Sequence, residues 1–173
     1  MSTRLIATET LTAALARMLA ADLAPPATLL LDGPVGAGKT HFARAFIRAR
    51  QDDWAEDVPS PTFTLVQFYE SDPPIAHFDL YRLTRPEEAF EIGLDEALDE
   101  GCALIEWPER LGDDPAQFLG PDRLIITLEE TGDDKNTGVP QAAGLREAGV
   151  RDTNTRTATV SGAGAWEARI GEL

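Results

Sequence analysis

Gly33-Pro34-Val35-Gly36-Ala37-Gly38-Lys39-Thr40 sets a lysine and a threonine directly after a glycine-rich turn, at the spacing G-x-x-x-x-G-K-[ST]. That pattern is built for phosphate. Residues without a Cβ let the turn wrap its backbone N–H groups around a phosphate, at a helix N-terminus that already carries partial positive charge. Gly33, Val35, Gly36, Ala37 and Gly38 are therefore nucleotide-binding candidates through their backbone. The Lys39 ammonium would reach the β- and γ-phosphates, and the Thr40 hydroxyl would take one coordination position on Mg²⁺. His41 follows as either helix surface or the last nucleotide-facing position of the run.

An ion held by such a threonine also takes a carboxylate from the end of a neighbouring strand. Glu106 ends the apolar run Cys102-Ala103-Leu104-Ile105-Glu106, and Asp79 ends Ile75-Ala76-His77-Phe78-Asp79. Acids at strand ends are common in any α/β fold, so Asp79 as a helix cap and Glu106 as a solvated side chain remain open on this pattern alone. Thr62 and Thr64 follow the loop at the distance of a switch segment that senses the γ-phosphate, although strand threonines are also ordinary β formers. Trp107 either covers the sheet edge or contacts nucleotide, and Arg82 either faces phosphate or pairs with a surface acid. His77 reads as a packed, hydrogen-bonded histidine, since phosphoryl transfer needs positioning and charge more than proton abstraction.

These residues need elements to hold them. Thr8 caps a helix whose apolar positions are Leu11, Leu15, Met18, Leu19 and Leu23, ended by Pro25-Pro26. Residues 28–31 form a buried strand running into the glycine-rich turn. The next helix buries Phe42, Ala43, Phe46 and Ile47, while Arg44, Arg48 and Arg50 face water or a partner. Residues 51–61 read as an acidic, mobile stretch. Phe63, Leu65 and Gln67 then alternate with Thr64, Val66 and Phe68 as a strand. Ser71-Asp72-Pro73-Pro74 is too short for a crossover helix, so that strand and 75–79 form an antiparallel hairpin. Thr84, Pro86 and Glu87 open a helix interrupted near Gly93 and finished at Gly101. Residues 102–105, 124–128 and 157–161 complete the strands, and Gly164-Ala165-Trp166-Glu167-Ala168-Arg169-Ile170 makes a closing helical turn. Residues 131–154, with no aromatic side chain and many Gly, Asp and Asn, read as a flexible insertion. The expectation is a single α/β domain over 1–173, in three layers, with a mixed central sheet that contains an antiparallel hairpin.

Composition narrows the partners. The 173 residues carry 15 Lys+Arg against 30 Asp+Glu, a net charge of −15. Residues 1–50 hold six basic and three acidic side chains, and residues 51–173 hold nine and twenty-seven. A field of that sign opposes the counterion release that rewards nucleic-acid binding, so a free-standing tRNA or DNA binder is not expected. Thirteen of the fifteen cations are arginine, leaving Lys39 and Lys135 as the lysines. A single cysteine, Cys102, no signal-like apolar leader and no run near the ~20 residues that span a bilayer point to a cytoplasmic protein away from membranes.

Taken in order, GPVGAGKTHFAR, SPTFTLVQFY, HFDLYRL and ALIEWPERL resemble the TsaE (YjeE) family of small bacterial ATPases over roughly residues 5–130. The resemblance implies a P-loop ATPase, with ATP/ADP and Mg²⁺ as cofactors, that supports threonylcarbamoyladenosine modification of tRNA. It implies action on the TsaB–TsaD complex rather than on the tRNA. Carried onto this chain, it sets Lys39 on the phosphates, Thr40 and Glu106 at Mg²⁺, Asp79 in hydrolysis, Thr62 to Thr64 in a switch-like segment, and Trp107 beside the nucleotide. Pro34-Val35 and His41 depart from the usual family pattern without removing a phosphate-binding group. Two competing readings are a nucleotide-gated binding module with incidental hydrolysis and a small-molecule kinase. The kinase lacks an Arg-rich lid: residues 51–128 hold only Arg82, Arg85, Arg110 and Arg123 as cations.

Overall fold

The apolar run ahead of the glycine-rich turn forms a strand, β2 (Ala27–Asp32), buried from its first residue to its fifth because a parallel strand flanks it on each side. The computed structural model describes residues 2–7, 9–22, 27–130 and 156–169. Before β2 come β1 (Ser2–Ala7) and α1 (Glu9–Asp22), and after the turn comes α2 (Lys39–Gln51). A hairpin of β3 (Val66–Tyr69) and β4 (Ile75–Asp79) follows, then a 3₁₀ turn (Leu80–Arg82), α3 (Glu88–Glu91) and α4 (Leu94–Glu100). The chain continues through β5 (Cys102–Glu106), a second 3₁₀ turn (Pro108–Leu111), α5 (Ala116–Leu119), β6 (Arg123–Glu130), β7 (Arg156–Ala163) and α6 (Trp166–Arg169).

Seven strands make one sheet in the order β1-β7-β6-β2-β5-β4-β3. β6, β2, β5 and β4 are parallel, and antiparallel pairs close both ends: β3 on β4 at one, β7 and β1 at the other. Strand alternation sorts the core onto two faces. Leu29, Leu31 and Leu104 pack with Leu15, Leu19, Phe42, Phe46 and Ile47 from α1 and α2. Leu30, Phe78, Ala103 and Ile105 pack on the other face with Leu80, Leu94 and Leu111. The expected three-layer mixed sheet with its hairpin is the fold observed.

Several expectations change. β1 was not expected at all; it pairs with β7 from Ser2 opposite Ser161 to Ala7 opposite Arg156. Met18 is 43% exposed, because the buried stripe of α1 runs through Thr12, Leu15, Ala16, Leu19 and Ala20, and Met18 falls on the opposite side. Phe63, Thr64 and Leu65 precede the strand rather than belong to it. The Leu65 N–H closes a tight turn on the Pro61 carbonyl at 2.7 Å, Leu65 adopts a left-handed φ of 67°, and β3 begins only at Val66. The arginines of α2 do not simply face water. Arg44 donates to the Val58 carbonyl at 3.0 Å, Arg48 to that of Glu56, and Arg50 to that of Ala20 at 3.1 Å. Residues 56–58, read as mobile, are thereby strapped to α2, and Val58 is wholly buried. The Thr8 cap, Leu23, Pro25-Pro26 and the 131–154 insertion lie outside the described residues.

Candidate nucleotide site

The turn from β2 into α2 works only with glycine at its first position. Gly33 has φ 135°, and a Cβ there would stand 2.2 Å from the Leu128 carbonyl oxygen of β6. Gly38, at φ 101°, is the N-cap of α2, so the helix opens with its free N–H groups turned toward the loop. Ala37 is fully buried beneath the turn, whereas Val35 stands 74% exposed on its crest.

Beside the loop, the parallel register brings two carboxylates to the same level. β4 and β5 pair with Asp79 opposite Glu106, and β5 pairs with β2 with Glu106 opposite Leu31, so both acids end their strands next to the turn that follows β2. Each meets a hydroxyl. The Thr40 hydroxyl donates to Glu106 Oε2 at 3.1 Å, and the Thr62 hydroxyl donates to Asp79 Oδ2 at 2.7 Å. Asp79 Oδ1 also accepts the Tyr81 backbone N–H at 3.1 Å, so the expected capping role is observed, at the N-terminus of the 3₁₀ turn.

Lys39 is 5% exposed, and its ammonium donates to the backbone carbonyls of Gly33 and, at 2.9 Å, of Pro34. It lies 3.7 Å from the centre of the Trp107 ring. Trp107 reaches that position from a left-handed φ of 62°, a conformation that costs a non-glycine residue about 1–2 kcal/mol. Burial pulls the Lys39 ammonium below the ordinary lysine value, and the carboxylates of Glu106, Glu109, Asp32 and Asp79 oppose that pull.

A cleft of about 430 Å³ opens over these groups. Its lining includes Val35, Gly36, Gly38, Lys39, Thr40 and His41 from the loop and helix, Thr62 and Asp79 from the turn before β3 and from β4, and Glu106 and Trp107 from the end of β5. Of the residues singled out by sequence, Gly33 and Ala37 support the loop from behind. Thr64 is exposed and accepts from Gln67 at 3.4 Å instead of lining the cleft. Arg82 stacks over the Phe63 ring at 4.5 Å. Tyr81 was missed: it lines the cleft and packs against Trp107 at 4.9 Å between ring centres. Its signal was its place two residues after Asp79, where the 3₁₀ turn carries it round to face Trp107.

A glycine-rich loop between a parallel strand and a helix, with acids at the ends of the adjoining strands, defines this as a P-loop nucleotide-binding domain. A family model described as Threonylcarbamoyl adenosine biosynthesis protein TsaE matches residues 6–137, and the chain belongs to that family, which is involved in tRNA threonylcarbamoyladenosine biosynthesis. Relatives described as tRNA threonylcarbamoyladenosine biosynthesis protein TsaE agree. The one from Rickettsia felis is 41% identical over 122 residues, spanning 70% of this chain and 68% of the relative. The one from Bacillus subtilis is 35% identical over 137 residues, spanning 78% and 82%. The crystal structure of Bacillus subtilis YdiB superposes with a TM-score of 0.66 at 25% identity, covering 99% of this chain and 94% of that one. Among the described residues no helix is long and apolar enough to cross a membrane.

Proposed function

We propose that the cleft binds ATP with Mg²⁺ and hydrolyses it slowly in the cytoplasm, in support of tRNA threonylcarbamoyladenosine modification through the TsaB–TsaD complex. One observation carries this reading: the loop, Thr40 with Glu106, and Thr62 with Asp79 all meet in a single cleft. Lys39 would leave the loop carbonyls to take the β- and γ-phosphates. Thr40 Oγ1 and Glu106 Oε2 are hard oxygens 3.1 Å apart, the kind of partial ligand set that suits Mg²⁺, which keeps waters and takes phosphate oxygens for the rest. When bound, the ion would supply charge neutralisation between the phosphates. Asp79, buried and held by Thr62 and the Tyr81 N–H, would orient the attacking water. Trp107 and Tyr81 would form the apolar wall.

The charge supports a protein partner over RNA. Thirty acids against 15 cations repel a phosphate backbone, and counterion release offers little to the six cations of residues 1–50. The Thr62 segment links the cleft to the surface, because Thr62 lines the cleft while its neighbour Phe63 is 81% exposed. Nucleotide-dependent ordering of that segment would change affinity for a partner that contacts it. The test is ATP turnover by the chain alone and with purified TsaB–TsaD. A rise on adding the pair, lost in Lys39→Ala, is the expected result. Turnover that the pair leaves unchanged, or tight salt-sensitive binding of the isolated chain to tRNA, overturns the reading.

A further inference from the structure

Glu106 uses both of its carboxylate oxygens. Oε2 accepts from Thr40 at 3.1 Å, and Oε1 lies 2.8 Å from His77 Nε2. The histidine has no exposed surface and the glutamate is 2% exposed. The sheet explains how they meet. With Asp79 opposite Glu106 and His77 opposite Leu104, His77 and Asp79 project from one face of β4, and Glu106 reaches diagonally back across the strand pair to the imidazole.

The second ring nitrogen, His77 Nδ1, is buried without a hydrogen-bond partner. A proton there would be a buried donor with nothing to accept it, so the ring's proton belongs on Nε2, donated to Glu106. Leaving Nδ1 unsatisfied costs stability that an apolar side chain at this position would avoid. The compensating interaction is therefore at Nε2.

We infer that His77 is a positioning residue for Glu106: by holding Oε1, it aims Oε2 at the Thr40 hydroxyl, where the Mg²⁺ of a bound nucleotide would be coordinated. This rests on the nucleotide–Mg²⁺ reading above. A glutamate anchored at one oxygen has one direction left for the other, whereas an unanchored one samples several rotamers and presents its oxygen to a metal only part of the time. Loss of such an outer partner typically lowers metal affinity 10- to 100-fold.

The experiment is calorimetric titration of ADP in Mg²⁺ and again in EDTA, on the parent chain, His77→Leu, His77→Gln and Glu106→Gln. His77→Leu is expected to weaken ADP binding in Mg²⁺ by about 10-fold and to leave binding in EDTA unchanged. His77→Gln, whose amide N–H can reach the same oxygen, is expected to recover most of the loss. If a thermal melt shows His77→Leu unfolded, His77→Met replaces it as a donor-free side chain of similar length. Parental Mg²⁺ dependence in the donor-free variant overturns the inference, as does an equal loss with and without the ion. Glu106→Gln separates the two failures. A Mg²⁺ defect there beside a normal His77→Leu removes only the role of His77, whereas no defect in Glu106→Gln removes the metal reading and this inference with it.

Discussion

β2, β5 and β4 are buried on both faces almost residue by residue, whereas β6, although parallel to β2, alternates half-buried and buried positions and is followed outward by the antiparallel β7 and β1. The two halves share one sheet but present different ends to solvent. In the parallel half every strand finishes at the same edge, and each finishes on an acid: Asp32, Asp79 and Glu106. On the flank, β6 still runs parallel to β2 and ends at that same edge on Glu130, but from β7 outward the direction reverses with each strand, and no candidate site residue lies on β6, β7 or β1. A site that needs several groups converging on one ligand is easiest to build where strand polarity is uniform, and the flank serves it by closing the core.

The largest expected effect tests the flank. Ile126→Ala in β6 removes a fully buried side chain and should cost about 2–5 kcal/mol in urea denaturation while leaving the ADP affinity of the folded protein unchanged. A matching loss of affinity would break the division between halves. Next comes the loop: Lys39→Ala should weaken ADP binding roughly 100-fold, since a hydrogen bond to a charged group contributes about 1.5–3 kcal/mol, with little change in the melting temperature. Unchanged calorimetric affinity would remove the loop from the site.

The two acids sharpen the comparison within the parallel half. Glu106→Ala should raise the Mg²⁺ needed for half-maximal ADP binding, and Asp79→Ala should mainly lower kcat, each by roughly 10-fold. Mg²⁺ titrations of both variants decide, and exchanged phenotypes would exchange the roles. The smallest effect is on stability against pH. The folded Lys39 titrates below 10.5, so between its lowered value and 10.5 the unfolded chain holds a proton that the folded chain has lost, and stability rises with pH across that window. Denaturation midpoints from pH 8 upward should show this rise in the parent and less of it in Lys39→Met. Identical slopes would mean that Lys39 is not held in a desolvated position.

The parallel half was legible because strands buried on both faces write continuous apolar runs, such as Cys102 to Ile105, and because the loop has an explicit spacing. The antiparallel flank wrote less. Ser2–Ala7 mixes Ser, Thr and Arg with Leu, Ile and Ala, and its pairing is set by β7, whose partner residues lie 149 to 159 positions away in sequence. The segment before β3 misled for a local reason: its alternation has strand period, but the Pro61–Leu65 turn interrupts it and sends Phe63 outward. At the site, residue types told which groups could take part. They could not tell that Thr62 would bond Asp79 or that His77 would bond Glu106, because those contacts depend on the register of β4 against β5 and on the path of the preceding loop.

Cys102 opens β5 between two neighbours, opposite Ala27 on one side and Ile75 on the other, and it has no exposed surface. Burial also pushes its thiol above the ordinary value, which keeps it from forming the reactive thiolate in place. An alkylating reagent can therefore reach it only when the centre of the sheet parts, so labelling of this one sulfur counts opening events in the unmodified protein. A nucleotide that binds only the closed form should slow that count by the factor 1 + [L]/Kd, giving an affinity measured from the far end of the very strand that ends in Glu106.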